Sequence, residues 1–304
     1  MRKFIVLFVF TLLVVPSFIL LYQPVTVRAS PDPGWLSGWW YRKSHVINAA
    51  SRAGTGYQVK IVAHKSIGTD SDKDVYLGTD TYVRDDFGDV RFTASDGTTL
   101  LPYWIESYTS GVEATFWVKV SDDLSSVNRT IYIYFGKSDA TTTSSGADTF
   151  PDFFEHFPST SIDPSKWTGD IESCSVLDSI LTFGPPARYY TEDIIWSIAA
   201  FDPGKRLRLR IQHVNAETDS PTYSTDGFAD DPEDNIIMIY TETEPNWWAI
   251  IRDAGTGTFS DTGVAISTDW MIHQILWKDF TYAKLNFNDG SFFEMSNYVP
   301  DGPI

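Results

Sequence analysis

Glu217-Thr218-Asp219 sets two carboxylates two residues apart. On a strand such side chains share a face, where one can act as nucleophile and the other as acid in glycoside hydrolysis. Pro221 comes closely after and marks a loop rather than a central strand, which breaks that geometry. Asp230-Asp231-Pro232-Glu233-Asp234 is the densest acidic run. It offers the oxygen ligands that a hard cation takes at ~2.4 Å, so structural calcium on Asp230, Asp231, Glu233 and Asp234 is the cofactor it suggests. The run lacks the spacing of a helix-loop-helix calcium site, and a solvated acidic turn has the same composition. Asp70, Asp72 and Asp74 alternate with Ser71 and Lys73 as a weaker version of the same idea.

Two further constellations point to binding rather than turnover. Arg206, Arg208 and Arg210 fall on one face of a strand whose other face is Leu207, Leu209 and Ile211. Such a row could hold an anionic sugar through forked hydrogen bonds. It could equally be a solvent face balanced by acidic neighbours. Trp247 and Trp248 are adjacent, so in a strand they point to opposite faces and only one can be core. The other is a candidate platform for a sugar ring or the underside of a loop. Trp39 and Trp40 pose the same question.

Other chemistries find no support. His45, His64, His156, His213 and His273 are scattered, without metal-ligand spacing. The chain has no Gly-x-Ser-x-Gly elbow and no phosphate-cradling glycine loop. Cys174 is the only cysteine, so no internal disulfide can form, and beside Val176 it reads as a small hydrophobe. Asn128-Arg129-Thr130 is the single glycosylation sequon, a triplet that chance also places at the start of a strand.

Strands must position these residues. Tyr41–Ile47 and 57–62 read as strands joined by the turn-forming stretch 49–56. Residues 90–93 alternate up to Asp96-Gly97, a hairpin dipeptide, with 101–106 as the expected partner. In 114–120, Ala114, Phe116, Val118 and Val120 share one face, with Thr115, Trp117 and Lys119 on the other. The run 130–135 closes the first unit, and the Ser/Thr/Gly/Ala-rich stretch 137–148 reads as a loop or linker, with a boundary near Phe150. Beyond it, 175–183 predicts a hairpin around Asp178-Ser179, and 206–212, 235–242, 246–252, 270–278, 283–288 and 291–295 predict strands. No helical period of ~12 residues occurs after the leader, so the fold class is all-β: two antiparallel β-sandwich domains in tandem.

Several stretches resemble one family. Phe87-Gly88-Asp89-Val90-Arg91-Phe92, Leu101 to Glu106, Phe116 to Val120 and Ile131 to Gly136 are its carriers. Trp39-Trp40-Tyr41-Arg42-Lys43 and Ser145 to Phe150 fit it too. Residues 36–150 thus look like the domain of unknown function 2341, common in bacterial and archaeal surface proteins, and no activity comes with the resemblance. Residues 151–304 look like a concanavalin A-like jelly roll, the lectin and glucanase sandwich. The carriers there are Ile162 to Trp167, the strand 205–212, Asp269-Trp270 before Ile275-Leu276-Trp277, and Asn288-Asp289-Gly290. Members typically run past a segment like Val299 to Pro303 into at least one more strand, so the resemblance implies a jelly roll missing its last strand. Its glucanases carry a third carboxylate after Glu217-Thr218-Asp219, where this chain has Pro221 or Thr222.

Arg2 and Lys3 precede an apolar run broken by Pro16, and Val27-Arg28-Ala29 offers a cleavage site, so 1–29 reads as a signal peptide. The alternative is an uncleaved anchor, since ~20 apolar residues can span a bilayer. Without Arg2, Lys3 and Arg28 the chain carries 20 basic against 40 acidic side chains, near −20. That field repels phosphate backbones, so nucleic acid is not the expected partner. A membrane is expected only through an uncleaved signal or a missing C-terminal anchor. The expected function is non-catalytic binding of a glycan or cell-envelope component outside the cell or at its surface. A structural, adhesin or assembly ectodomain is the second reading, and a glycoside hydrolase the third.

Overall fold

A computed structural model describes residues 34–78, 82–183, 195–202, 204–212, 224–229, 235–241, 245–279, 282–296 and 299–300. The expected leader 1–29 lies outside them. The chain forms two compact units, Met1–Phe154 and Glu155–Ile304. Both are β-built; among the described residues the one α-helix is α1 (Gly146–Thr149), and no helix is long and apolar enough to cross a membrane.

The first unit contains β1 (Tyr41–Ile47), β2 (Tyr57–His64), β3 (Asp74–Tyr76), β4 (Arg91–Thr93), β5 (Tyr103–Thr109), β6 (Glu113–Val120) and β7 (Arg129–Phe135). One sheet has the order β1-β7-β4 and the other β3-β2-β6-β5. Alternation explains the packing: Ala114, Phe116, Val118 and Val120 of β6 and Ile131, Ile133 and Phe135 of β7 turn inward into one core. β1 and β2, consecutive in the chain, therefore lie in opposite sheets.

One expectation is corrected here and a second is narrowed. The Asp96-Gly97 turn exists, with Asp96 Oδ1 accepting from the N–H groups of Thr98 and Thr99 at 2.9 Å and Gly97 at φ +77°. Beyond it, β4 and the next segment share only the bridge Thr93–Leu100, and β5 crosses to pair with β6. Pro102 supplies no N–H to continue a ladder, while Leu101 and Tyr103 are drawn into the core. Of the two readings of 137–148, loop or linker, the structure shows a loop held to the first unit. Ser145 N donates to Tyr103 O at 2.8 Å, and Ile105 N to Ser144 Oγ at 2.8 Å. The segment then crosses the outer face of β5 and β6, where the Phe150 ring lies 6.0 Å from both Trp104 and Trp117 and that of Phe154 lies 4.9 Å from Trp104.

The second unit adds β8 (Trp167–Gly169), β9 (Cys174–Leu177), β10 (Ile180–Phe183), β11 (Ile195–Ser197), β12 (Lys205–Gln212), β13 (Ser224–Ala229) and β14 (Ile236–Thr241). After these come β15 (Asn246–Asp253), β16 (Thr256–Ala265), β17 (Trp270–Asp279), β18 (Tyr282–Phe287) and β19 (Phe292–Met295). β9 and β10 form the expected hairpin, with Asp178 and Ser179 both at positive φ, as a two-residue primed turn needs. Two four-stranded antiparallel sheets, β12-β17-β18-β19 and β13-β14-β15-β16, carry the unit. Ile237, Ile239, Ala249 and Ile251 from one meet Ile275, Trp277, Ala283 and Leu285 from the other in a single core. This is the sandwich that alternation predicts.

Candidate functional site

The sheet β12-β17-β18-β19 has a core face and an outward face. Leu207 and Ile211 pack toward the core, which puts Arg206, Arg208 and Arg210 outward. Register continues each arginine into a row: Arg206 opposite Leu276, then Lys284 and Glu294, and Arg208 opposite Gln274, then Asn286 and Phe292. Arg210 stands opposite Ile272.

The three arginines have different surroundings. Arg208 forks onto Asp289, Nη1 to Oδ1 at 2.7 Å and Nη2 to Oδ2 at 3.4 Å. Gln274 Nε2 donates to the same carboxylate at 2.6 Å, and Asn288 and Asp289 are both at positive φ in the turn between β18 and β19. Arg208 thus holds a turn and has its counter-charge. Arg210 is exposed, with its guanidinium carbon 4.5 Å from the centre of the Trp270 ring. Arg206 is exposed and makes no ion pair among the described residues. Further cations join the face, Lys278 4.0 Å and Lys284 5.3 Å from the Tyr282 ring centre. Lys284 pairs with Glu294. A chain with net charge −17 therefore gathers arginine, lysine and aromatic rings on one sheet face, with Asp289 and Glu294 as the acids paired there.

The adjacent tryptophans divide as the strand period requires. Trp247 is fully buried in the second core, edge-on to His273 with ring centres 4.6 Å apart. Trp248 points out from the other sheet beside Tyr240, its register partner, and is half-buried. On that face Tyr240 and Phe259 meet edge-to-face at 6.4 Å, and Arg252 lies 5.3 Å from the Phe259 ring centre. Ile236, Met238 and Ile250 are buried beneath them. This second aromatic face is more closed than the arginine face.

Asp70, Asp72 and Asp74 of the first unit are committed to structure. Asp70 accepts from Lys43 Nζ at 2.7 Å and Tyr76 N at 2.9 Å, and Asp72 from Asn48 Nδ2 at 2.8 Å. His64 lies between carboxylates, Nε2 3.0 Å from Asp74 and Nδ1 3.1 Å from Glu113. The His64 hydrogen bond, against some desolvation, holds the Asp74 carboxyl below its ordinary value. Burial holds the His45 imidazole below its ordinary range, against the hydrogen bond to the Asp72 backbone. Among the described residues no group of three or more His, Cys, Asp and Glu side chains is placed to hold a metal ion. Glu217, Asp219, His213 and the candidate calcium ligands Asp230, Asp231, Glu233 and Asp234 lie outside the described residues. Cys174 is half-buried, its Sγ 3.7 Å from Asp170 O.

Sequence reasoning missed Trp270, Lys278, Tyr282 and Lys284 as parts of the arginine face. Each falls on the outward phase of its own strand, but only pairing of β12 with β17 and of β17 with β18 brings them together.

Residues 86–170 match the family model described as Domain of unknown function (DUF2341). The match takes in β4 to β7 and α1 and runs past the unit boundary into β8. It supports the resemblance of the first half over 86–150 and covers well under half of the chain. No curated protein and no solved structure matches the chain, and the lectin-like likeness of 151–304 has no family match behind it.

Proposed function

We propose that this chain is a non-catalytic binding protein of the cell exterior or surface. Its second unit holds an anionic glycan or other cell-envelope polymer on the outward face of β12-β17-β18-β19. The observation that carries the reading is the pairing of exposed Arg210 with the Trp270 ring, beside an Arg206 that has no counter-charge among the described residues. A guanidinium presents a planar fork to a carboxylate, sulfate or phosphate, and an aromatic ring offers a flat apolar surface to a sugar. The basic, apolar and small-residue order of residues 2–29 supports export. The jelly-roll resemblance supports carbohydrate as the ligand class, as an analogy of fold alone.

Retention of the whole protein on an acidic polysaccharide, a neutral glucan and a phosphate-rich envelope polymer tests this. Binding to an acidic polymer that weakens with salt is expected, with Arg206→Glu/Arg210→Glu weakening it by about tenfold or more. Equal retention on the neutral glucan, or none on any polymer, overturns it.

A structural or assembly role has one observation in its favour. Among the described residues β16 is a ten-residue edge strand without lysine or proline, the kind of edge to which another strand can add. Light scattering that shows only monomer across a wide concentration range counts against it.

A further inference from the structure

We infer that Asn128 is an N-glycosylation site of the folded first unit. The inference rests on export, one part of the proposed function, and on nothing else in that proposal. Asn128 is exposed at the end of the loop between β6 and β7, and Thr130 lies just inside β7. Arg129 occupies the permissive middle position and is held by Nε donating to Asp123 O at 3.1 Å, so the sequon sits in a defined turn.

The contacts of the Asn128 carboxamide are compatible with a sugar. Its Oδ1 accepts from Ala49 N at 2.8 Å, and its Nδ2 donates one hydrogen to Asn48 Oδ1 at 3.3 Å. Glycosylation consumes one Nδ2 hydrogen and leaves the other, so the Oδ1 contact to Ala49 N is untouched and one N–H stays available as a donor. The reaction needs a lipid phosphate- or pyrophosphate-linked oligosaccharide as donor. Nδ2 bonds to C1 of the donor sugar while the C1–O bond to the lipid phosphate breaks. The phosphate leaves with that electron pair, and the displaced amide proton passes through a base on the transferase.

The surface around the sequon is open. Val127 is 53% exposed beside the acceptor, and Val46, the register partner of Thr130, is 50% exposed on the neighbouring strand.

Intact mass and glycopeptide analysis of the protein from its own cells tests this. A glycan mass on the peptide carrying Asn128 is expected. Asn128→Gln and Thr130→Val should each abolish it, and Thr130→Ser should keep it. Thr130→Val preserves the strand side chain's shape, so its loss of glycan reports the sequon rather than misfolding. A processed chain with an unmodified Asn128 overturns the inference. A chain that keeps its leader and carries no glycan overturns it through the export premise, and the same mass spectrum separates the two failures.

Discussion

His273 Nδ1 lies 2.8 Å from Asp226 Oδ1, with both side chains closed off between the sheets of the second unit. The pair joins β17 to β13 across the core, and the His273 ring is walled by Trp247 at 4.6 Å and Phe287 at 5.1 Å. His273 Nε2 and Asp226 Oδ2 are buried without a hydrogen-bond partner among the described residues. Removing one member of such a pair leaves the other buried and unmatched, which costs about 1–3 kcal/mol. Asp226→Ala should therefore lower the urea midpoint sharply. Asp226→Leu/His273→Leu should cost less than Asp226→Ala, because it leaves no polar orphan. A double variant weaker than the single one would contradict this account.

Trp247 and Trp248 give a paired test of strand phase. Trp247→Ala should cost about 3–5 kcal/mol, since it empties a fully buried site, and Trp248→Ala clearly less. Chemical denaturation of both variants checks the order. Equal losses would mean that the outward face is packed as tightly as the core.

That phase was readable in the sequence, because adjacent residues on a strand cannot share a face. The same rule placed Arg206, Arg208 and Arg210 outward and the even residues of β6 inward. Pairing was less legible. Asp96-Gly97 announced a turn, but nothing local said that β5 would leave β4 for the other sheet. β16 escaped notice for a different reason: its inward phase is Thr258, Ser260, Thr262 and Val264, so an edge strand held by its neighbour shows almost no apolar period. The stretch 137–148 left loop and linker both open because its small polar residues hide the attachment that follows it, where Phe150 and Phe154 pack on Trp104.

That attachment makes Gly146 intolerant. A Cβ there would lie 2.0 Å from Phe154 Cε1, so Gly146→Ala must push the ring off Trp104. A loss of roughly 1–3 kcal/mol is expected. Phe154→Ala removes the obstacle, so the two losses should not add, and the thermal melts of the single and double variants read the coupling directly. Strict additivity would show that the ring moves away without cost.

Asp86 and Asp89, three residues apart, should titrate on opposite sides of the ordinary aspartate value of 3.8. The Arg84 guanidinium hydrogen-bonds the Asp86 carboxylate through Nε at 2.9 Å and Nη2 at 2.8 Å, and with the Gly88 N–H pulls it down to about 2. Burial pushes the Asp89 carboxyl up, against hydrogen bonds from Gly136 N and Arg84 N. Proton linkage sets the signs. Asp86 contributes stability above pH 3.8 that is lost as pH falls through about 2, a small effect because the pair is half exposed. Asp89 works the other way: its charge is disfavoured in the fold, so stability declines as pH rises from 3.8 through its higher folded value. Carboxyl chemical shifts across pH 1.5–6 should show Asp86 losing its proton first. Arg84→Ala should move Asp86 back toward 3.8 while Asp89, held by a backbone N–H of the same residue, stays above it. The reverse order of midpoints would mean that the Arg84 fork does not persist in solution.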